Sequence, residues 1–301
     1  MSEYITHIGV QEDTARLALH SPDICEAFKT CFKNHALAAR LGSSSRGNST
    51  FIVQNLDHFR DLWSERKPED RLEDKLSYTL GWITHRAADR YFKPRYGTFD
   101  KNPESLHPVE ARILHDVVVY DKVYQNGKMP PFSQGFAERD MQSHPAAKLL
   151  DATKAENLFG PMYQSDFLGL QSIEVGSAEE LIKRINKQFP EFTVDLNRLI
   201  NAIENPNEVN MHRMIEAPNF YDENDGIIKL ARNLQHGKSV EDISLQDALN
   251  ATEVSQYAET LVKSFNWIQD ASDYFSRASQ RDMAALFDVF NIDEHQKIER
   301  Y

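Results

Sequence analysis

The chain has 301 residues, 41% hydrophobic and 27% charged, which is the composition of a globular protein with enough length for a large core. Its 34 Lys and Arg against 46 Asp and Glu give a formal net charge of −12. This charge disfavours general binding to nucleic acid or to anionic lipid. No apolar run is long enough to span a bilayer and no signal-peptide pattern is present, so we expect a cytoplasmic protein. Cys25 and Cys31 lie too far apart for a Cys-x-x-Cys motif.

Helical periodicity dominates the chain, and strand-like alternation is scarce. We therefore predict an all-α fold, a multi-helix bundle. In chain order, the expected helices cover residues 3–19, 21–41, 50–65, a central helix after 71, 106–124, 178–188, 194–203, 225–235, 245–279 and 281–290. A break is predicted at 42–49 and long loops at 125–147, 154–177 and 204–225. A boundary near 150 separates a metal-bearing helical domain, 1–150, from a helical C-terminal region, 151–301, that we expect to share its core.

The central helix carries a histidine and an aspartate one turn apart, His85 and Asp89. Its apolar stripe lies on one side, and the pair lies with aromatic residues on the other, so both faces are expected to be buried. Spacing of i,i+4 lets the two side chains share a divalent cation or simply hydrogen-bond each other.

This segment resembles the central helix of the zinc-dependent phospholipase C family, the phospholipase C/P1 nuclease type. The family pattern is a Gly-aromatic, a His-x-x-x-Asp pair that ligates zinc, and an aromatic-His-Pro. Here the corresponding residues are Gly81-Trp82, His85/Asp89 and Phe92-Lys93-Pro94. The resemblance covers about residues 1–125 and implies the family's helical bundle. It also implies that metal is ligated by His7, His58, His85 and Asp89.

The chain departs from the family pattern at three places. A segment whose aspartate ligates metal is replaced by one containing Arg46, and Lys93 stands where a histidine is usual. The closing His-x-x-x-Glu pair has no counterpart, although His107 precedes Glu110 by three residues. We therefore expect one metal at His58, His85 and Asp89, shared with His7. His115, or His107 with Glu110, could supply a second site.

These residues predict a metal-dependent phosphoester hydrolase similar to zinc-dependent phospholipase C. Its cofactor would be one or more zinc ions or another divalent metal, and its substrate a small-molecule or lipid phosphoester. Asp89 would bridge metals or orient the nucleophile. Lys93 could replace a missing cation and hold a substrate phosphate, or it could be a surface lysine.

Two other functions stay open. An HD-type phosphohydrolase would use His85, His115 and Asp116, and it requires Asp116 to face the metal. A non-catalytic helical scaffold or binding protein would keep the fold and lose the metal chemistry.

Overall fold

The computed structural model describes residues 4–44, 49, 51–96, 108–131, 198–241, 243–252, 254–278 and 282–292. All regular structure in these residues is helical and none is strand, which confirms the all-α prediction. The helices are α1 (Tyr4–His20), α2 (Glu26–Asn34), α3 (Ala36–Ser44), α4 (Phe51–Leu62), α5 (Leu72–Tyr96), α6 (Pro108–Lys122), α7 (198–204), α8 (Glu208–Met211), α9 (Gly226–Gln235), α10 (Leu245–Leu249), α11 (Gln256–Phe275) and α12 (Met283–Val289). None of these described helices combines the length and the apolarity needed to cross a bilayer.

The chain divides into two compact units, each assembled from three stretches of sequence. The first unit comprises Met1–Leu17, Ala87–His144 and Pro190–Phe265. The second comprises Ala18–Arg86, Pro145–Phe189 and Asn266–Tyr301. The helices α1, α5 and α11 each contribute residues to both units. The boundary predicted near residue 150, the helix predicted at 178–188 and the loop predicted at 154–177 fall outside the described residues.

The first unit has an aromatic core around Phe220, which follows a π-helical turn at His212–Glu216. The ring of Phe220 stacks on His115 at 3.9 Å and lies 5.9 Å from Phe92 and 6.2 Å from Tyr257, measured between ring centroids. These side chains come from α5, α6 and α11. The core therefore ties the second half of α5 to helices that are distant in sequence.

In the second unit, α3 and α5 cross at two glycines. A Cβ atom on Gly42 would lie 2.0 Å from the carbonyl oxygen of Tyr78, and one on Gly81 would lie 1.9 Å from the carbonyl oxygen of Ala39. Real Cβ atoms do not approach so closely, so the crossing requires glycine at both positions. The break predicted to start at Gly42 is wrong at this position, because α3 continues through Ser44.

The helix predicted over 21–41 is divided in the structure at His35. Its imidazole Nδ1 lies 2.8 Å from Asp74 and its Nε2 lies 3.2 Å from Glu73, both in the first turn of α5. A contact to residues so far along the chain leaves no local signal. The periodicity therefore did not predict the end of α2 at Asn34 and the start of α3 at Ala36.

The long helix predicted over 245–279 is also interrupted, between α10 and α11. The backbone amides of Gln256 and Tyr257 donate to the carbonyls of Asn219 and Phe220, at 3.0 and 2.9 Å. The carboxylate of Asp225 accepts from the amide of Ser255 at 2.9 Å. The first amides of a helix have no partner inside it, and here a distant loop supplies the acceptors that start α11.

Candidate metal centre

The first element of the site is the N-terminal turn of α1, which carries His7. The preceding residue, Thr6, donates to the carboxylate of Asp116 on α6 through its amide at 2.8 Å and its hydroxyl at 2.7 Å. A carboxylate at a helix N-terminus satisfies an amide left without a partner in the helix and interacts favourably with the helix dipole. His7 is only 4% exposed, so its imidazole is held inside the first unit.

The second element is α5, which carries His85 and Asp89 one turn apart. The Nδ1 of His85 lies 2.8 Å from the carbonyl oxygen of Ser43 at the end of α3. A carbonyl oxygen only accepts, so Nδ1 carries the proton and Nε2 of the neutral ring carries the lone pair. Metal-binding histidines usually have one nitrogen fixed in this way by a backbone or carboxylate acceptor. The glycine crossing of α3 and α5 keeps the Ser43 carbonyl in place.

The spacing of the ligand atoms fits a metal ion. One ligand atom from each of His7, His85 and Asp89 lies within 4.8 Å of the other two. The Nε2 of His7 is 3.6 Å from Oδ1 of Asp89, which is too long for a hydrogen bond. Two ligands of a tetrahedral zinc ion, each about 2.0 Å from the metal, lie about 3.3 Å apart. Two imidazoles and a carboxylate also form a donor set that zinc accepts.

The second oxygen of the Asp89 carboxylate faces a lysine. The ammonium of Lys93, one turn further along α5, contacts Oδ2 of Asp89. The Asp89 side chain is 16% exposed and the Lys93 side chain is 62% exposed, so the ammonium approaches the carboxylate from the solvent side. The two oxygens of Asp89 therefore face different groups, an imidazole on one side and an ammonium on the other.

The other residues predicted as metal ligands lie away from this group or outside the described residues. His58 is half-buried on α4 beside Phe59 and does not belong to the His7, His85 and Asp89 group. Glu110 is exposed, and His115 is stacked in the aromatic core. Within the described residues, neither belongs to a cluster of metal ligands, so the predicted second site gains no support. His107 and Arg46 fall outside the described residues.

A buried ionic cluster on α1 was not predicted from the sequence. Asp13, only 1% exposed, accepts from Arg16 at 2.6 Å, from the Tyr257 hydroxyl at 3.0 Å and from Arg232. Burial, together with the charge of Asp13, raises the pKa of Tyr257, so its hydroxyl stays a donor. Burial alone lowers the pKa of Arg16, but the charges of Asp13 and Glu12 outweigh it and the net shift is upward. Acidic and basic residues three apart on a buried helix face could have indicated this cluster.

A further overlooked residue is Gln11, one turn after His7 on α1. It is 2% exposed, and its Oε1 accepts no hydrogen bond from the described part of the chain. Buried polar atoms almost always have a hydrogen-bond partner. The face of α1 that carries His7 and Gln11 is therefore unusual, because it buries polar side chains where a helix normally packs apolar ones. The i,i+4 spacing of the two residues was the available sequence signal.

Comparison with protein-family models, with curated proteins and with solved structures finds no significant match to this chain.

Proposed function

We propose that the chain is a metal-dependent hydrolase of phosphoesters whose ion is held by His7, His85 and Asp89. The observation that supports the proposal most strongly is the convergence of these three ligand atoms within 4.8 Å. Three protein ligands leave a fourth position for water or substrate, which is the arrangement of catalytic rather than structural zinc sites. When bound, such an ion supplies a nucleophile near neutral pH and polarises a phosphoryl oxygen.

Each residue has a distinct task in this proposal. His85 presents Nε2 because the Ser43 carbonyl holds its other nitrogen. The two hydrogen bonds from Thr6 to Asp116 hold the N-terminal turn of α1 in place, and His7 with it. Asp89 supplies the negative charge that two neutral imidazoles lack, and it presents Oδ1 on the side of His7. The phosphoester class rests on the resemblance of the central helix to zinc-dependent phospholipase C.

The two alternative functions differ in the contacts that would support them. An HD-type site needs the Asp116 carboxylate at the metal, whereas Oδ1 of Asp116 accepts two hydrogen bonds from Thr6 and its neighbour His115 lies in the aromatic core. This geometry does not favour the HD-type alternative. A helical binding protein without metal chemistry is favoured by one contact, because the Lys93 ammonium can neutralise Asp89 without an ion.

The proposal is tested with two chromogenic substrates, bis(p-nitrophenyl) phosphate as a diester and p-nitrophenyl phosphate as a monoester. The untagged protein is stripped with a chelator and resupplied separately with zinc, manganese or nickel. We expect turnover only after metal is returned, and a loss of at least about 100-fold in Asp89→Asn and His85→Gln.

The matched control for this assay is His20→Gln, which removes an exposed histidine at the other end of α1 and should leave turnover unchanged. Turnover that survives both Asp89→Asn and His85→Gln would refute the proposed site. Bound metal without hydrolysis of either ester would contradict the hydrolase and leave a metal-binding protein.

A further inference from the structure

The Asp89 carboxylate belongs to the proposed metal site and also contacts a positively charged side chain, Lys93. Its Oδ1 faces Nε2 of His7 at 3.6 Å, and its Oδ2 contacts the ammonium of Lys93. Lys93 follows Asp89 by four residues on α5, and an acid followed by a base at this spacing is the favoured order on a helix. His7, Asp89 and Lys93 all belong to the first unit.

The ion pair between Lys93 and Asp89 is expected to contribute little to the stability of the fold. A pair with an exposed partner contributes only about 0–1 kcal/mol, because solvent screens the charges and the lysine loses side-chain entropy. The Lys93 side chain is 62% exposed, whereas Asp89 is mostly buried. The ammonium is therefore accessible to an anion in solution while it remains next to the carboxylate that would bind metal.

The charge balance of the site shows what the lysine can add. With neutral imidazoles, a divalent ion and the Asp89 carboxylate leave a formal charge of about +1, and the Lys93 ammonium raises it to about +2. The chain as a whole carries a net charge of −12, which repels phosphate anions. Sites that cleave phosphoesters often use two cations, because one can stabilise the attacking oxygen while the other stabilises the leaving oxygen.

We propose that Lys93 serves as the second cation of this site, so that a substrate phosphate binds between one metal ion and the Lys93 ammonium. This inference rests on the proposed function. It assigns Lys93 to substrate binding and predicts one metal ion per chain rather than two. A lysine acts here as a compact point charge, so the site should accept phosphate anions of different shapes.

The test measures binding of inorganic phosphate by calorimetry to zinc-loaded protein that has been freed of excess zinc. Zinc content is determined first in each sample. The variants are Lys93→Gln, which removes the charge, and Lys93→Arg, which keeps it. The control is Lys122→Gln, because Lys122 is 51% exposed and pairs with Asp121 at 3.1 Å on α6.

We expect about one equivalent of zinc in all four proteins and a phosphate Kd raised about 10-fold in Lys93→Gln. Lys93→Arg should stay within about 3-fold of the wild type, and Lys122→Gln should be unchanged. An unchanged phosphate Kd in Lys93→Gln with zinc still bound would overturn the inference and leave the proposed function intact. Failure of the wild type to bind zinc, or manganese or nickel in its place, would refute the proposed function and the inference together.

Discussion

Replacing Gly81 by alanine tests whether the glycine crossing of α3 and α5 supports both the fold and the site. The new Cβ would lie 1.9 Å from the Ala39 carbonyl oxygen, whereas real Cβ contacts start near 3.0 Å. The two backbones must therefore separate by about 1.1 Å, and no side-chain rotation can relieve the clash. Because Ser43 lies at the end of α3, the separation also draws its carbonyl away from Nδ1 of His85.

The expected cost follows from two opposing effects. Overpacking that forces backbone shifts costs about 1–3 kcal/mol, and a clash between two backbones belongs at the upper end of this range. Alanine in place of glycine within a helix stabilises the helix by about 1 kcal/mol. We therefore expect Gly81→Ala to lower the free energy of unfolding by about 2 kcal/mol.

The assay is urea unfolding followed by far-ultraviolet circular dichroism, with zinc affinity measured on the same variant. Gly226→Ala is the matched control, because its Cβ would meet Ala248 at 3.6 Å, an ordinary contact at the start of α9. The control should be neutral or more stable by up to about 1 kcal/mol. A Gly81→Ala variant as stable as the wild type, with unchanged zinc affinity, would show that the crossing of α3 and α5 does not require glycine and does not support the site.

Three further predictions concern residues around the site and core. Asp13→Ala should lower the free energy of unfolding by about 3–5 kcal/mol in a urea melt, because it leaves buried arginine charge uncompensated. The control Asp121→Ala should change this free energy by less than about 1 kcal/mol. Burial raises the pKa of the Cys31 thiol, so iodoacetamide at mildly alkaline pH should label Cys25 and spare Cys31 until the protein unfolds. Because this pKa is higher in the folded state, the contribution of the Cys31 thiol to stability should be lost as pH rises above about 8.5. Asp116→Asn should lower the free energy of unfolding in a urea melt by about 1.5–3 kcal/mol, because it weakens both hydrogen bonds from Thr6. Equilibrium dialysis should show weaker zinc binding by this variant. Unchanged zinc affinity would exclude a role of Asp116 in positioning His7.

The part of the fold that the sequence predicted well is the part governed by local periodicity. The stretches Phe51-Ile-Val53 and Val117-Val-Val119 contain β-branched residues, and both lie in helices because the helical spacing extends beyond them. The central helix was expected from the same signal. The closeness of His85 and Asp89, whose ligand atoms lie within 4.8 Å of each other, follows from their spacing within one helix.

The errors arose where distant residues decide the local structure. Gly42 followed by three serines reads as a break, yet the close approach of α5 requires the glycine and α3 continues through it. The interruption before α11 depends on the carbonyls of Asn219 and Phe220, which are distant in sequence. The residues next to the interruption therefore gave no signal for it. The placement of His7 beside Asp89 is likewise a tertiary contact, and only the family resemblance indicated it.

Binding of one metal ion by His7, His85 and Asp89 is tested by measuring the metal content of the untagged protein after zinc is supplied and the excess is removed. We expect about one equivalent of zinc per chain, lost in His7→Ala, His85→Ala and Asp89→Ala and retained in His20→Ala. A cobalt-substituted sample should show the visible absorption of a tetrahedral site, and this absorption should vanish in the same three variants. A wild type that binds no metal, or a metal that stays bound in all three variants, would contradict the assignment of a metal site to His7, His85 and Asp89.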